Sequence, residues 1–212
     1  HLESYFPSSH ELAMGHRGQA DSVVRTAVLS LALGTTKFMH TWSLQDCADR
    51  WGNQHYGCVG LISRMPECNP KPAAAAAATM TRVLDLAKYD GWLETGSRSA
   101  FCVRFKDEDR LVYAAWTFRG TRPLELTPDT DQTKLVKIDE NGNEFPLSLE
   151  NGKISVTLSP TPFWIVAHGG GIKTATVGAP TYTEAPAKDR IVLDDCEKLR
   201  WGYAGQSYPR YA

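Results

Sequence analysis

The 212-residue chain lacks several features that would place it in a functional class at once. It has no run of about 20 apolar residues, so a membrane-spanning helix is not predicted. Its formal net charge of -1 gives no electrostatic reason to bind nucleic acid or an acidic membrane surface. The length allows one or two domains with hydrophobic cores. The composition is therefore that of a globular protein whose expected partners include neither nucleic acid nor membrane.

Motifs for metals, phosphates and acyl transfer are also missing. No two of the five cysteines have the C-x-x-C spacing of a zinc site. The acidic residues Asp46, Asp49, Asp194 and Asp195 do not form the Asp-x-Asx-x-Asx-Gly pattern of a calcium loop. No glycine-rich phosphate loop follows a predicted strand, and no G-x-S-x-G elbow is present. Neither a metal nor a cofactor is predicted.

The cysteines leave the cellular compartment open. Cys47, Cys58 and Cys68 fall close together in one predicted loop, where a disulfide could form in an exported protein. The alternative to a disulfide, on which the sequence gives no preference, is that the cysteines, including Cys102 and Cys196, are buried free thiols. Cysteine content alone therefore does not choose between an oxidising and a reducing environment.

The first 88 residues alternate between strand-like and helix-like patterns. Apolar residues recur with helical spacing in two segments, and β-branched and aromatic residues dominate two others. In order, the predicted segments are a strand at 1–6, a helix at 20–31, a strand at 35–42, a long polar loop at 43–69 and a helix from 70 to 87. This alternation predicts a parallel sheet covered by helices.

The pattern changes after residue 88. Short segments of alternating polarity predict strands at 101–105, 111–117, 134–138, 153–158 and 162–166. Asn-Gly turns at Asn141 and Asn151 predict hairpins between some of them. Strands at a spacing of roughly 8–12 residues are typical of an antiparallel sandwich. Residues 169–190, rich in Gly, Thr, Pro and Ala, are predicted to be a linker.

Seven motifs follow one another along residues 1–167 in the order found in a known family. They are HLESYF (1–6), the helix 19–34, TKFMHTWSLQD (36–46), the Lys-Pro helix 71–84, VYAAWTFRG (112–120), DENGN (139–143) and VTLSPTPFWI (156–165). This order resembles the C-terminal region of clan-A retaining glycoside hydrolases, and is similar to glycoside hydrolase family 39. The first four motifs resemble the seventh barrel strand, its helix, the eighth barrel strand and the closing helix. The last three resemble the small β-sandwich that follows such barrels.

The resemblance implies an α/β plus all-β fold. Residues 1–88 would be the C-terminal portion of a (β/α)8 TIM barrel, with its last two strands and helices, and residues 89–168 an antiparallel β-sandwich. Residues 191–212 would start a further β module. Two barrel strands alone expose open sheet edges, so residue 1 is not expected to be the natural start. The expected partner is the N-terminal part of the barrel, from the same gene product or another chain.

Glu3 is the predicted catalytic residue. Retaining glycosidases use two carboxyl groups about 5–5.5 Å apart, a nucleophile and a general acid/base. The resemblance places Glu3 at the nucleophile position, where the seventh barrel strand ends at the ligand face. The acid/base glutamate of the clan belongs to the fourth barrel strand, outside this chain. Leu2 stands where the family usually has threonine, so a degenerate barrel and an ordinary terminal glutamate remain alternatives.

Trp42, Tyr5 and His40 are the predicted substrate-binding residues. The clan often places an aromatic side chain under the sugar at the end of the eighth barrel strand, where an indole packs against the C–H face of a pyranose. Tyr5 shares a strand face with Glu3, and His40 shares one with Trp42. A core tryptophan and a structural histidine are the alternatives. Further polar candidates in the long loop contact either substrate or solvent: Asp46, Asp49, Asn53, Gln54 and His55.

The predicted function is cleavage of O-glycosidic bonds in a polysaccharide or oligosaccharide by an extracellular or periplasmic enzyme. The alternative is a non-catalytic carbohydrate-binding or structural module of a larger extracellular assembly, built on Trp92, Trp116, Trp164 and Trp201. The resemblance argues against that alternative, because such sandwiches mostly pack on the barrel, and Trp116 and Trp164 fall on strands predicted to face the core. Oligomeric state is left open, including a homo-oligomer.

Overall fold

The protein is described by a computed structural model over residues 15–37, 44–46, 60–63 and 68–182. These residues contain two helices, α1 (Gly15–Ala32) and α2 (Pro72–Leu84), neither of which is long and apolar enough to cross a membrane. The same residues contain nine strands: β1 (Lys88–Trp92), β2 (Ala100–Lys106), β3 (Arg110–Thr117), β4 (Arg122–Pro128), β5 (Lys134–Ile138), β6 (Glu144–Leu147), β7 (Ile154–Leu158), β8 (Phe163–His168) and β9 (Ile172–Val177).

The strands form two antiparallel sheets. The larger has the order β1-β2-β3-β8-β5-β6, and the smaller has the order β7-β4-β9. The β2–β3 pairing is regular from Ala100 opposite Thr117 to Lys106 opposite Leu111. The edge strand β1 carries an irregularity between Tyr89 and Gly91, as edge strands often do. We refer to residues 88–177 as the two-sheet unit.

The central strands β3 and β8 of the six-stranded sheet are buried on both faces, whereas its edge strands β1 and β6 are largely exposed. Because successive side chains of a strand point to opposite faces, β3 directs Trp116 toward the helices and Tyr113 toward the smaller sheet. One hydrophobic cluster joins α1 and α2 to β2, β3 and β8, and a second joins the two sheets. Cys102 belongs to the second cluster as a free thiol, and burial raises its pKa to about 12. The result is three layers: helices, large sheet, small sheet.

Most of the predicted elements are present. The two predicted helices coincide with α1 and α2, and the five predicted strands with β2, β3, β5, β7 and β8. The predicted strand at 35–42 is irregular over residues 35–37, and its remainder lies outside the described residues, as does the strand at 1–6. The parallel barrel sheet therefore stays a prediction.

The predicted linker at 169–190 is wrong for residues 172–177, because these form β9. This strand pairs with β4 in the smaller sheet, with Leu126 opposite Ala175. Ile172 and Ala175 are buried, whereas Lys173 and Thr174 between them are exposed. The glycines before β9 form a turn that Asp129 holds, since its carboxylate accepts a hydrogen bond from the Gly171 N–H at 2.8 Å. A glycine-rich composition here marks a tight turn into a strand.

Candidate active site

The four residues predicted to bind or cleave substrate, Glu3, Tyr5, His40 and Trp42, lie outside the described residues. The described residues nearest to Trp42 in sequence are 44–46. They contact two further short segments, 60–63 and 68–71, which precede α2 in the chain. Of the further polar candidates, Asp46 lies at the junction of these segments, whereas Asp49, Asn53, Gln54 and His55 lie outside the described residues.

Backbone hydrogen bonds join the three segments into a small β-like junction. The Asp46 N–H donates to the Ile62 carbonyl at 2.9 Å, and the Ile62 N–H donates to the Leu44 carbonyl at 3.0 Å. The Lys71 N–H donates to the Leu61 carbonyl at 2.9 Å. Residues 46 and 60 are therefore held side by side, although 13 residues separate them in the chain.

An ion pair is buried inside this junction. The Lys71 Nζ lies 2.6 Å from Asp46 Oδ2 and 2.7 Å from Oδ1, and the side chains are only 3% and 9% exposed. The Gly60 N–H donates to Asp46 Oδ1 at 2.9 Å. The carboxylate of Asp46 is thus occupied by a lysine and a backbone amide. The contacts that the structure shows for Asp46 are therefore structural, and a contact with substrate stays a prediction.

A glycine is required at position 60, because the backbone of residues 45 and 46 approaches it too closely for a side chain. A Cβ atom at Gly60 would lie 2.5 Å from the Asp46 backbone nitrogen and 2.5 Å from the Gln45 carbonyl carbon. Helix α1 reaches the same point, because the Gln19 Nε2 donates to the Gly60 carbonyl at 3.1 Å. We call Asp46, Gly60 and Lys71 the clasp.

The two helices are joined to the large sheet by buried tryptophans. Trp116 is 0% exposed and stacks on Phe101 with a ring-centroid distance of 5.0 Å and an interplanar angle of 3°. Trp164 is 1% exposed in the same cluster, which also holds Val28 of α1 and Val83 of α2. Neither indole has a free face for a sugar. Both tryptophans instead belong to the contact between helices and sheet.

Polar contacts surround this apolar centre. Arg25 of α1 donates to the Pro160 carbonyl at 2.9 Å and lies over the Phe118 ring at 5.0 Å. Arg17 of α1 forms an ion pair with Glu140. On α2, Arg82 pairs with Glu144 at 3.1 Å. The DENGN turn (139–143) contacts α1 through Glu140, and β6, the strand after it, contacts α2 through Glu144.

Asp21 of α1 is a buried carboxyl at the same interface. Burial raises its pKa above the ordinary 3.8, although Arg25 and a hydrogen bond from the Thr161 hydroxyl at 3.3 Å lower it in part. Because the folded pKa exceeds the unfolded one, ionised Asp21 destabilises the fold once the pH rises above about 4 and through the folded pKa.

Asp21→Asn is therefore expected to raise the melting temperature at about pH 7 and to leave it unchanged at about pH 3. Thermal unfolding of the variant and the parent at the two pH values checks this prediction. A lower melting temperature of Asp21→Asn at neutral pH would show that the attraction between Asp21 and Arg25 stabilises the fold by more than the burial of the charge destabilises it.

Two of the surface grooves among the described residues are shallow and polar. One of about 400 Å³ is lined by strand and turn residues of the two-sheet unit, among them two ion pairs: Arg104 with Asp90 at 2.7 Å, and Arg110 with Asp107 at 3.5 Å. The other, of about 210 Å³, lies beside the Arg17–Glu140 pair. Across the described ranges, no group of three or more His, Cys, Asp or Glu side chains could hold a metal ion.

Comparison with known proteins gives a structural relationship and no sequence match. No protein-family model matches the chain, and no curated protein matches it in sequence. The structure is similar to a family 39 glycoside hydrolase from the gut symbiont Bacteroides cellulosilyticus WH2, with 25% identity and a TM-score of 0.61, over 74% of this chain and 31% of that one. It is also similar to a family 30 endoxylanase from Clostridium papyrosolvens C71, with 12% identity and a TM-score of 0.55, over 80% and 41%.

These comparisons confirm the predicted resemblance to family 39. The likeness to the family 30 enzyme shows the fold alone. The chain spans less than half the length of either solved structure.

Proposed function

We propose that the chain is part of a retaining glycoside hydrolase that cleaves O-glycosidic bonds in a polysaccharide or oligosaccharide. Residues 1–88 then form the last part of its (β/α)8 barrel, and the two-sheet unit is the β-sandwich beside it. The observation that carries the proposal is the likeness to a family 39 glycoside hydrolase over 74% of the chain, in agreement with the order of the sequence motifs. Fold likeness alone does not establish an activity, so the site residues need their own test.

In the proposed reaction Glu3 is the nucleophile. Its carboxylate attacks the anomeric carbon, a glycosyl ester forms, and the bond to the leaving oxygen breaks as the acid/base carboxyl donates a proton to that oxygen. Water then attacks the ester, and the same acid/base group takes its proton. Trp42 packs beneath the sugar, with Tyr5 and His40 beside it. The acid/base glutamate belongs to the part of the barrel outside these 212 residues.

The burial of the tryptophans supports this proposal over a carbohydrate-binding module. Trp116 and Trp164 are enclosed between the helices and the sheet, where they can brace the barrel helices but not stack on a sugar. Trp92, at the sheet edge, is 41% exposed. Trp201 lies outside the described residues. Of the three described tryptophans, only Trp92 could serve a binding module.

Covalent trapping tests the proposal directly. The full-length protein is screened with aryl glycosides, and the 2-deoxy-2-fluoro analogue of the best substrate is then added. Because the fluorine slows hydrolysis of the ester, we expect one equivalent of adduct on the tryptic peptide that ends at Arg17 and contains Glu3. Adduct on another carboxylate, or a product of inverted anomeric configuration, would contradict the assignment. Sugar binding without turnover by the unmutated protein would favour the module.

A further inference from the structure

Two Asn-Gly pairs stand in turns of the two-sheet unit, Asn141-Gly142 and Asn151-Gly152. An asparagine before glycine can lose its amide, because no side chain shields the backbone nitrogen that follows it. When this nitrogen loses its proton, it attacks the asparagine Cγ. The new N–Cγ bond closes a succinimide ring, and the bond from Cγ to the amide nitrogen breaks, so that ammonia leaves. A hydrogen bond donated by the glycine N–H opposes the first step.

The turn that contains Gly142 is held from several sides. The Gly142 N–H donates to the Asp139 carbonyl at 3.1 Å. The Asp139 carboxylate accepts the N–H groups of Asn141 and Asn143, each at 2.9 Å. Helix α2 contacts the same turn, since the Arg82 Nη2 donates to the Gly142 carbonyl at 3.2 Å. The nitrogen that would attack Asn141 is therefore engaged in a turn whose neighbours fix its shape.

The turn that contains Gly152 is held only at its ends. Glu150 and Lys153 exchange two backbone hydrogen bonds, at 2.8 and 3.1 Å. Asn151 and Gly152 between them have positive φ angles of 53° and 74°, as a type I′ turn requires. Among the described residues none accepts a hydrogen bond from the Gly152 N–H, and a Cβ atom at Gly152 would meet nothing within 4 Å. Both turn residues are exposed, so water and hydroxide reach the amide.

We propose that Asn151 is a modification site, at which the folded protein deamidates through a succinimide while Asn141 is protected. Hydroxide takes the proton of the Gly152 N–H, and water then opens the ring at either carbonyl to give aspartate or isoaspartate. The net reaction consumes water and releases ammonia. In the isoaspartyl product the main chain is longer by a methylene, so the turn before the edge strand β7 changes shape. This inference does not depend on the proposed glycosidase function.

A single peptide reports on both turns. Trypsin releases residues 138–153 as one fragment, which contains Asn141 and Asn151. The full-length protein is incubated at mildly alkaline pH and digested, and tandem mass spectrometry locates each amide that has become an acid. We expect deamidation at Asn151 to be at least about tenfold faster than at Asn141, because the Gly142 turn must first open. Methylation by an isoaspartyl methyltransferase should label the same position. Equal rates, or faster reaction at Asn141, would overturn the proposal.

Unfolding separates the effect of structure from that of sequence. Both asparagines precede glycine, so in concentrated urea the two rates should lie within about threefold of each other, since neither turn persists there. A preference for Asn151 as large in urea as in the folded protein would contradict the protection by structure.

Two aspartate variants test what protects Asn141. Asp139→Ala removes the carboxylate that holds the turn, and should speed deamidation at Asn141 by about threefold or more while Asn151 is unaffected. Asp107→Ala is the matched control, because the Asp107 carboxylate also accepts a backbone N–H in a turn, from Glu108 at 2.7 Å. It should change neither rate. An unchanged rate at Asn141 in Asp139→Ala would show that the turn contacts do not protect it, and would overturn that part of the inference.

Discussion

Replacement of Glu3 by glutamine in the full-length protein should lower kcat for an aryl glycoside by on the order of 10⁴-fold or more, the scale seen when a covalent catalyst loses its nucleophile. The amide nearly matches the carboxylate in shape but cannot form the glycosyl ester, so the first step of a retaining mechanism fails. Initial rates with a phenolate leaving group, followed by absorbance, measure the loss.

The control and the rescue make this result specific to Glu3. Glu150→Gln changes an exposed carboxylate that precedes β7 and should leave kcat within about twofold, as expected for a surface change. In Glu3→Ala, added azide fits the space of the missing carboxylate and should restore turnover by forming a glycosyl azide of inverted configuration. A Glu3→Gln variant that retains more than about a tenth of the parent rate would show that another group is the nucleophile.

The part of the fold that sequence reasoning predicted is the part in which side chains alternate or recur with a clear period. Strand β2 is an example, since Phe101, Val103 and Phe105 lie on one face and pack toward the helices. Strand β4 is not among the predicted strands, and Pro123 and Pro128 argue against a strand inside a sheet. Here β4 lies between β7 and β9, and Pro123 near one end is opposite Thr157. Pro128 at the other end coincides with an irregularity in register. Prolines at strand ends cost few ladder bonds, and a single sequence does not show where a strand ends.

The clasp could not have been predicted from local pattern. Asp46 and Lys71 are 25 residues apart, with an irregular polar segment between them, and their contact depends on how α1, α2 and the junction pack. One signal was available: Lys71 stands between Pro70 and Pro72 at the start of a helix, where positive charge is unfavourable because the N-terminal end of the helix is itself positive. A lysine at this position therefore predicts a carboxylate partner. The predicted substrate residues depend on barrel strands and need experiments such as the Glu3 substitution.

The largest effect on stability is expected from Trp116→Ala. The indole is fully buried, stacks on Phe101 and lies in the cluster that joins the large sheet to α1 and α2. Its removal leaves a cavity that rigid neighbours on three elements cannot fill, with an expected cost of about 3–5 kcal/mol. Thermal unfolding of the full-length protein should show a melting temperature lower by on the order of 10 °C. If the helices belong to the barrel, activity should be lost in the same transition, because the closing helices detach when the sheet beneath them loosens.

Two matched variants decide whether this effect comes from the helix–sheet contact. Trp92→Ala removes the same side chain from the same sheet at its partly exposed edge, and should cost less than about 1 kcal/mol. Trp116→Phe keeps an aromatic ring for the stack on Phe101 and removes the indole Nε1, which is buried without a hydrogen-bond partner among the described residues. It should therefore cost clearly less than alanine does, because most of the cavity stays filled and no polar contact is lost. If Trp92→Ala instead abolished binding of an oligosaccharide while Trp116→Ala left stability and turnover unchanged, the two-sheet unit would be a binding module and not a brace for the barrel.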